Sequence, residues 1–166
     1  MAGIAACSSA ARAQSQATVN VTGSISGSTC TVTTANLRVY MGQPSVSEIT
    51  AVPVGSAIQR SSGDTIVINC QQTGANPQIS FTDANNTGST AAYLSLTQGG
   101  NPASGVGIQL FRSDGTAIQL GQSYSVGQNL SAGSHDVPFT ARYYRTATVV
   151  TAGNANASAV FQFVFP

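Results

Sequence analysis

Apolar and polar residues alternate with a period of two through much of this chain. In the run 159–165, Phe161, Phe163 and Phe165 recur at every second position. A strand points successive side chains to opposite faces, so three phenylalanines share one face here. Ala17, Val19 and Val21 repeat the pattern near the other end. Two readings of these outer runs stand side by side. They are ordinary strands of one sandwich, or they are strands whose pairing is completed by other chains.

Further strand patterns cover residues 18–22, 29–32, 65–70, 78–82, 93–96, 106–111 and 137–144. Turn clusters separate them: residues 61–64 (Ser-Ser-Gly-Asp), 99–102 (Gly-Gly-Asn-Pro), 113–115 (Ser-Asp-Gly) and 132–134 (Ala-Gly-Ser). Asp114-Gly115 predicts a hairpin between Leu110-Phe111 and Ala117-Ile118. No segment sustains a 3.6-residue period with caps, so almost no helix is expected beyond one short turn within 45–57. Many short strands with regular turns predict an all-β, immunoglobulin-like sandwich. The chain has no Trp to pack on a disulfide, so an antibody-type domain is not expected.

Composition sharpens this picture. The 166 residues suffice for one domain with a core. Charged residues make up only 7%, against about 25% in typical domains. A surface so poor in charge repels copies of itself weakly, which suits packing against neighbours. The six basic residues, Arg12, Arg38, Arg60, Arg112, Arg142 and Arg145, are scattered. They form no stripe for nucleic acid. No apolar run approaches the ~20 residues that span a bilayer.

Residues 1–13 resemble the back half of a secretory signal, with apolar Ile4-Ala5-Ala6 and an A-x-A site at Ala11-Arg12-Ala13. A lipoprotein signal ending at Cys7 and a cytosolic tail are the alternatives. Removal of this leader takes Cys7 and leaves Cys30 and Cys70. An even pair in an exported protein is expected to be a disulfide. Closing a loop of about 40 residues contributes about 4 kcal/mol by the loop-entropy argument. Without export, two buried free thiols are the alternative.

No catalytic constellation emerges. His135 is the only histidine and sits beside a turn cluster, so a solvated loop histidine is expected. The carboxylates Glu48, Asp64, Asp83, Asp114 and Asp136 are spread along the chain, with no pairing that suggests glycoside hydrolysis. Nothing has the spacing of a zinc or calcium site. We therefore assign no catalytic, cofactor-binding or metal residue, expect no enzyme and no cofactor, and expect no small-molecule substrate or nucleic acid as partner.

Four blocks together resemble a chaperone–usher pilin of the type 1 fimbrial subunit family from Gram-negative bacteria. They are Val19-Asn20-Val21-Thr22-Gly23-Ser24-Ile25 followed by Cys30-Thr31-Val32; Ile66-Val67-Ile68-Asn69-Cys70; residues 103–110 with Asp114-Gly115; and residues 137–144 with Ala152-Gly153 and the terminal run. The family places a glycine fourteenth from the C-terminus and an aromatic at the penultimate position. Gly153 and Phe165 meet both conditions.

The resemblance implies an immunoglobulin-like sandwich lacking its final strand, completed by a donor strand from a neighbouring subunit or a chaperone. It implies a donor extension at 14–23 carrying Ala17, Val19, Val21 and Gly23, and a pilin domain at 24–166. Gly153, Phe161, Phe163, Phe165 and Pro166 would form the groove edge and the C-terminal strand that a chaperone grips. The implied partners are neighbouring pilin subunits, a periplasmic chaperone and an outer-membrane usher. The implied role is a polymerising structural subunit of a surface fimbria used in adhesion, exported through the periplasm. A minor adaptor or tip subunit with a binding role is the alternative. On this basis Val21→Asp is expected to spare the subunit's own fold, because the donor extension would lie outside its core.

Overall fold

A computed structural model of the chain describes residues 17–26, 30–34 and 36–165. The leader 1–13 with Cys7, the first residues of the extension and Pro166 lie outside them. The strands are β1 (Thr18–Ser26), β2 (Cys30–Val32), β3 (Asn36–Tyr40), β4 (Ala57–Cys70), β5 (Gln78–Asp83), β6 (Val106–Arg112), β7 (Ser123–Ser125), β8 (Gly133–Arg145) and β9 (Ala157–Val164). One helical turn, α1 (Val46–Thr50), separates β3 from β4. Ser45 caps it by accepting the Glu48 N–H at 3.1 Å.

The strands form two sheets, ordered β3-β1-β9-β5-β7 and β2-β4-β8-β6. Their inward faces share one apolar core. Phe81 on β5 meets Phe139 on β8 across the two sheets at 5.9 Å between ring centroids. Alternation along β9 is clean: Ala157, Ala159, Phe161 and Phe163 are buried, and Val160, Gln162 and Val164 are exposed. Cys30 and Cys70 are direct cross-strand partners on β2 and β4 and are joined by a disulfide.

Local expectations met mixed outcomes. The Asp114-Gly115 turn forms: the Arg112 N–H donates to Thr116 O at 2.9 Å, and Gly115 has φ +81°. That conformation suits glycine, which has no Cβ to clash. The Asp114 carboxylate accepts the Thr116 N–H at 2.8 Å, which holds its pKa below the usual value. Residues 61–64, by contrast, are not a turn. They continue β4 and pair with 139–142 of β8. The long alternating β8 offers them a full ladder, and tertiary pairing outweighs local turn preference. Gly63 is needed there because a Cβ would lie 2.5 Å from Phe139 O.

β6 is an edge strand, yet Val106 to Phe111 are all buried. Residues 93–96 cover that edge through a single bridge, Leu94 to Ile108. They do not extend into a strand: Leu110 O, the next acceptor along that edge, is taken by the Ile118 N–H at 2.8 Å, while the Ser95 N–H, which points away from β6, donates to the buried Asp83 carboxylate at 2.7 Å. His135 lies in β8 rather than in a loop, with Nε2 at 2.7 Å from Ser131 O. β3 carries an alternation of its own, with Leu37, Val39 and Met41 buried, which the strand reading above passed over.

Candidate functional site

The slot beside β9 is the feature the sequence pointed to. β9 has β5 on one side, paired antiparallel from Gln78↔Val164 to Asp83↔Ala159. On the other side lies β1, paired parallel from Val19↔Ala157 to Ser26↔Val164. The far edge of β1 pairs antiparallel with β3, from Thr18↔Tyr40 to Thr22↔Asn36. The chain's own first strand therefore stands where the resemblance expected a strand lent by another chain.

The slot is apolar. Phe161 meets Phe81 at 6.3 Å and Phe163 at 5.8 Å, the latter edge-to-face at 83°. Phe163 stacks on Phe165 at 6.3 Å, just past the end of β9. Such aromatic pairs contribute about 0.5–1.5 kcal/mol each beyond burial. Ala17, Val19 and Val21 point into the core, the two valines with no exposed surface.

Size matching sets the register of β1. Val19 and Val21 stand beside the small Ala157 and Ala159, and Gly23 stands beside Phe161. A Cβ on Gly23 would overlap the Phe161 ring. A slip by two residues would bring a valine onto that ring, so the strand is held where it is. At its start, the Thr18 N–H donates to Asn156 Oδ1 at 3.0 Å and the Met41 N–H to Ala17 O at 3.2 Å.

Gly153 is not in the slot. It lies ahead of β9, where a Cβ would come within 2.5 Å of Ala103 N and Pro102 C. Close backbone packing against 101–103 is its role, reinforced by the Asn154 N–H donating to Asn101 O at 2.8 Å. The predicted residues thus divide. Val19, Val21, Gly23, Phe161 and Phe163 come together, Ala17 and Phe165 flank them, and Gly153 supports the loop leading into β9.

None of the side chains that meet in the slot is charged. Nearby, Tyr143 is buried and donates its hydroxyl to Gly42 O at 2.9 Å, and burial pushes its pKa up to about 12. Burial also raises the Tyr124 phenol. The Arg145 guanidinium is taken up by the backbone carbonyls of Thr50, Val52, Ala147 and Thr148. Among the described residues no three His, Cys, Asp or Glu side chains cluster. Burial of a strand, not bond chemistry, is what this site can do.

Sequence reasoning missed three contributors. Leu37 and Val39 on β3 stand beside Val21 and Val19, and their period of two was available as a signal. The Asp83 carboxylate, accepting the Asn85 and Ser95 N–H groups at 2.9 and 2.7 Å, had no local signal.

Comparison with known proteins agrees with this architecture. A family model described as "Fimbrial protein" matches residues 19–165. Fimbrial protein 987P of Escherichia coli is 32% identical over 159 residues, covering 88% of this chain and 80% of that protein. The fimbrial subunit type 1 of Salmonella typhimurium is 29% identical over 149 residues, covering 87% and 80%. Among solved structures, the P pilus rod subunit PapA superposes with a TM-score of 0.62 at 20% identity, over 84% of this chain and 100% of that one. That likeness supports the pilin-type sandwich as the fold. The chain belongs to the fimbrial protein family, and is a non-enzymatic subunit of a cell-surface fimbria.

Proposed function

We propose that this chain is a repeating shaft subunit that polymerises by placing β1 in the slot of a neighbouring copy. One observation carries the reading: the slot beside β9 fits a strand that this same chain carries, with Gly23 under Phe161 and two valines beside two alanines. A neighbour's β1 can repeat those contacts, so copies can add to copies. Exchange of an identical element between protomers is a low-cost route to assembly. Each fully buried valine contributes about 1.5–3 kcal/mol to whichever slot it fills. Backbone pairing along β9 adds to this, as in other strand-addition complexes.

An open slot would expose Phe161 and Phe163 with an unpaired strand edge, which favours aggregation. A periplasmic chaperone that lends a strand, and an usher at which strands are exchanged, are the partners this chemistry calls for. The shaft role is tested by mass spectrometry of purified fimbriae. This chain should dominate the protein content. A trace amount confined to fibre ends, seen by immunogold labelling, would instead make it a minor adaptor.

A further inference from the structure

We propose that the α1 end of the sandwich is a docking face for the body of the next copy in the fimbria, covered by an uncharged pair of loops, 71–77 and 126–132, on that copy. This rests on the donor-strand reading above and adds a second contact outside the slot. Of the six large apolar side chains that stay exposed among the described residues, four gather at this end: Tyr40, Val46, Val54 and Val149, the last 71% exposed. Single exposed apolar residues need no explanation, but a group of them marks an interaction site. A cavity of about 290 Å³ opens between α1 and residues 150–153, lined in part by Val46, Ile49, Val106 and Val150. Gln43 lines both this cavity and a smaller one beside Ala17 and Tyr40. The face therefore continues to the start of β1, at the mouth of the slot.

The face is held as one surface. Arg145 ties together the two loops that carry Val54 and Val149. Its guanidinium donates to Thr50 O and Val52 O in one loop and to Ala147 O and Thr148 O in the other, at 2.7–3.0 Å. The Gly55 N–H donates to Arg145 O at 2.8 Å and adds to the tie. Loops fixed in advance lose little freedom on binding. Beside α1, Glu48 and Arg60 pair at 3.2 Å and cancel each other's charge.

Chain length selects the occupant. Only residues 27–29 separate β1 from Cys30, which allows at most about 14 Å from Ser26 to Cys30. A neighbour that donates β1 must therefore hold its body at the mouth where that strand leaves the slot. The exposed apolar face singles out the α1 end as that mouth. On the neighbour, Cys30 is paired with Cys70, so loop 71–77 begins beside the point where β1 leaves the body. That loop is bound to 126–132 by the Gly74 N–H to Leu130 O at 2.8 Å and the Leu130 N–H to Ala75 O at 2.9 Å. Neither loop carries a charged residue, so covering an apolar face with them desolvates no ion. One end of a copy against the opposite end of the next is a head-to-tail contact, which repeats along an open filament.

The test uses assembled fimbriae carrying photo-reactive benzoylphenylalanine at position 149 or, as a control for the slot, at position 22 on the exposed face of β1. Mass spectrometry maps the cross-linked copies. The probe at 149 should join a second copy within 71–77 or 126–132, and the probe at 22 should join a second copy at β3 or β9. Val54→Asp with Val149→Asp should lower fimbrial yield by about tenfold or more, because each places an unpaired charge in the contact. The same variant's monomer should keep the wild-type urea midpoint and bind a labelled peptide of residues 14–26 as wild type does. Wild-type yield from this variant, or a probe at 149 that joins no second copy at those loops, overturns the docking face, and a positive result at 22 then leaves the donor strand standing. A probe at 22 that joins no second copy overturns the donor-strand reading, and the occupant proposed here with it.

Discussion

Val21→Asp tests the slot most directly. Val21 has no exposed surface and sits between Leu37 on β3 and Ala159 on β9. The change removes burial worth about 1.5–3 kcal/mol. It also places a carboxylate among apolar side chains with no cation beside it, at a cost of several kcal/mol more. Together these are on the order of 5 kcal/mol, a large share of the about 5–15 kcal/mol that stabilises a domain. The sequence-based expectation that the subunit's own fold would be spared does not survive this placement, because in the isolated chain β1 is part of its own core. Two losses are expected. The urea midpoint of the purified monomer should fall sharply, with early proteolysis within 18–26. Fimbriae should also be absent from cells by electron microscopy. Asn20→Asp, on the exposed face of β1, should change stability by no more than about 0.5 kcal/mol. A Val21→Asp monomer that unfolds at the wild-type midpoint would refute the burial argument. Wild-type fimbriation from the same variant would refute the role of β1 as donor.

Gly23→Leu should fail for a steric reason: overlap with the Phe161 ring costs about 1–3 kcal/mol of overpacking, and Gly23→Leu with Phe161→Ala should recover part of the urea midpoint lost. Thiol labelling of denatured, unreduced protein should find neither Cys30 nor Cys70 reactive, and replacing both by Ala should cost about 2–5 kcal/mol in urea unfolding. The Tyr143 phenol is neutral when protonated, and burial raises its folded pKa from 10.0 to about 12. Its contribution is therefore complete below pH 10 and is lost as pH rises toward 12. Unfolding midpoints measured from pH 8 upward should show this decline, and Tyr143→Phe should flatten part of it while losing about 1 kcal/mol at neutral pH with the hydrogen bond to Gly42.

Much of the fold could be read along the chain because period two is a local property. The alternations ending in Phe161, Phe163 and Phe165, and those at Val19 and Val21, mark the buried face whatever lies opposite. The helical turn α1 and the Asp114-Gly115 turn depend on residues a few positions apart, and they formed as expected. Readings failed where a distant partner overruled a local preference. Residues 61–64 have turn chemistry, yet β8 draws them into its ladder. Residues 93–96 have a strand pattern, yet the Ile118 N–H takes Leu110 O, the next acceptor along the edge of β6 that a longer pairing would need.

The sequence by itself determined that β1 and β9 are strands and which face of each is apolar, and it made Cys30 and Cys70 an expected pair that the structure joins. It also determined that position 23 has no side chain to clash. Only the tertiary structure decided what β1 lies against and in which direction. Alternation carries no sense of direction, and it is satisfied equally by a slot in the same chain or in another. The parallel register with β9 instead comes from matching valines to alanines and Gly23 to Phe161 across a gap of more than a hundred residues.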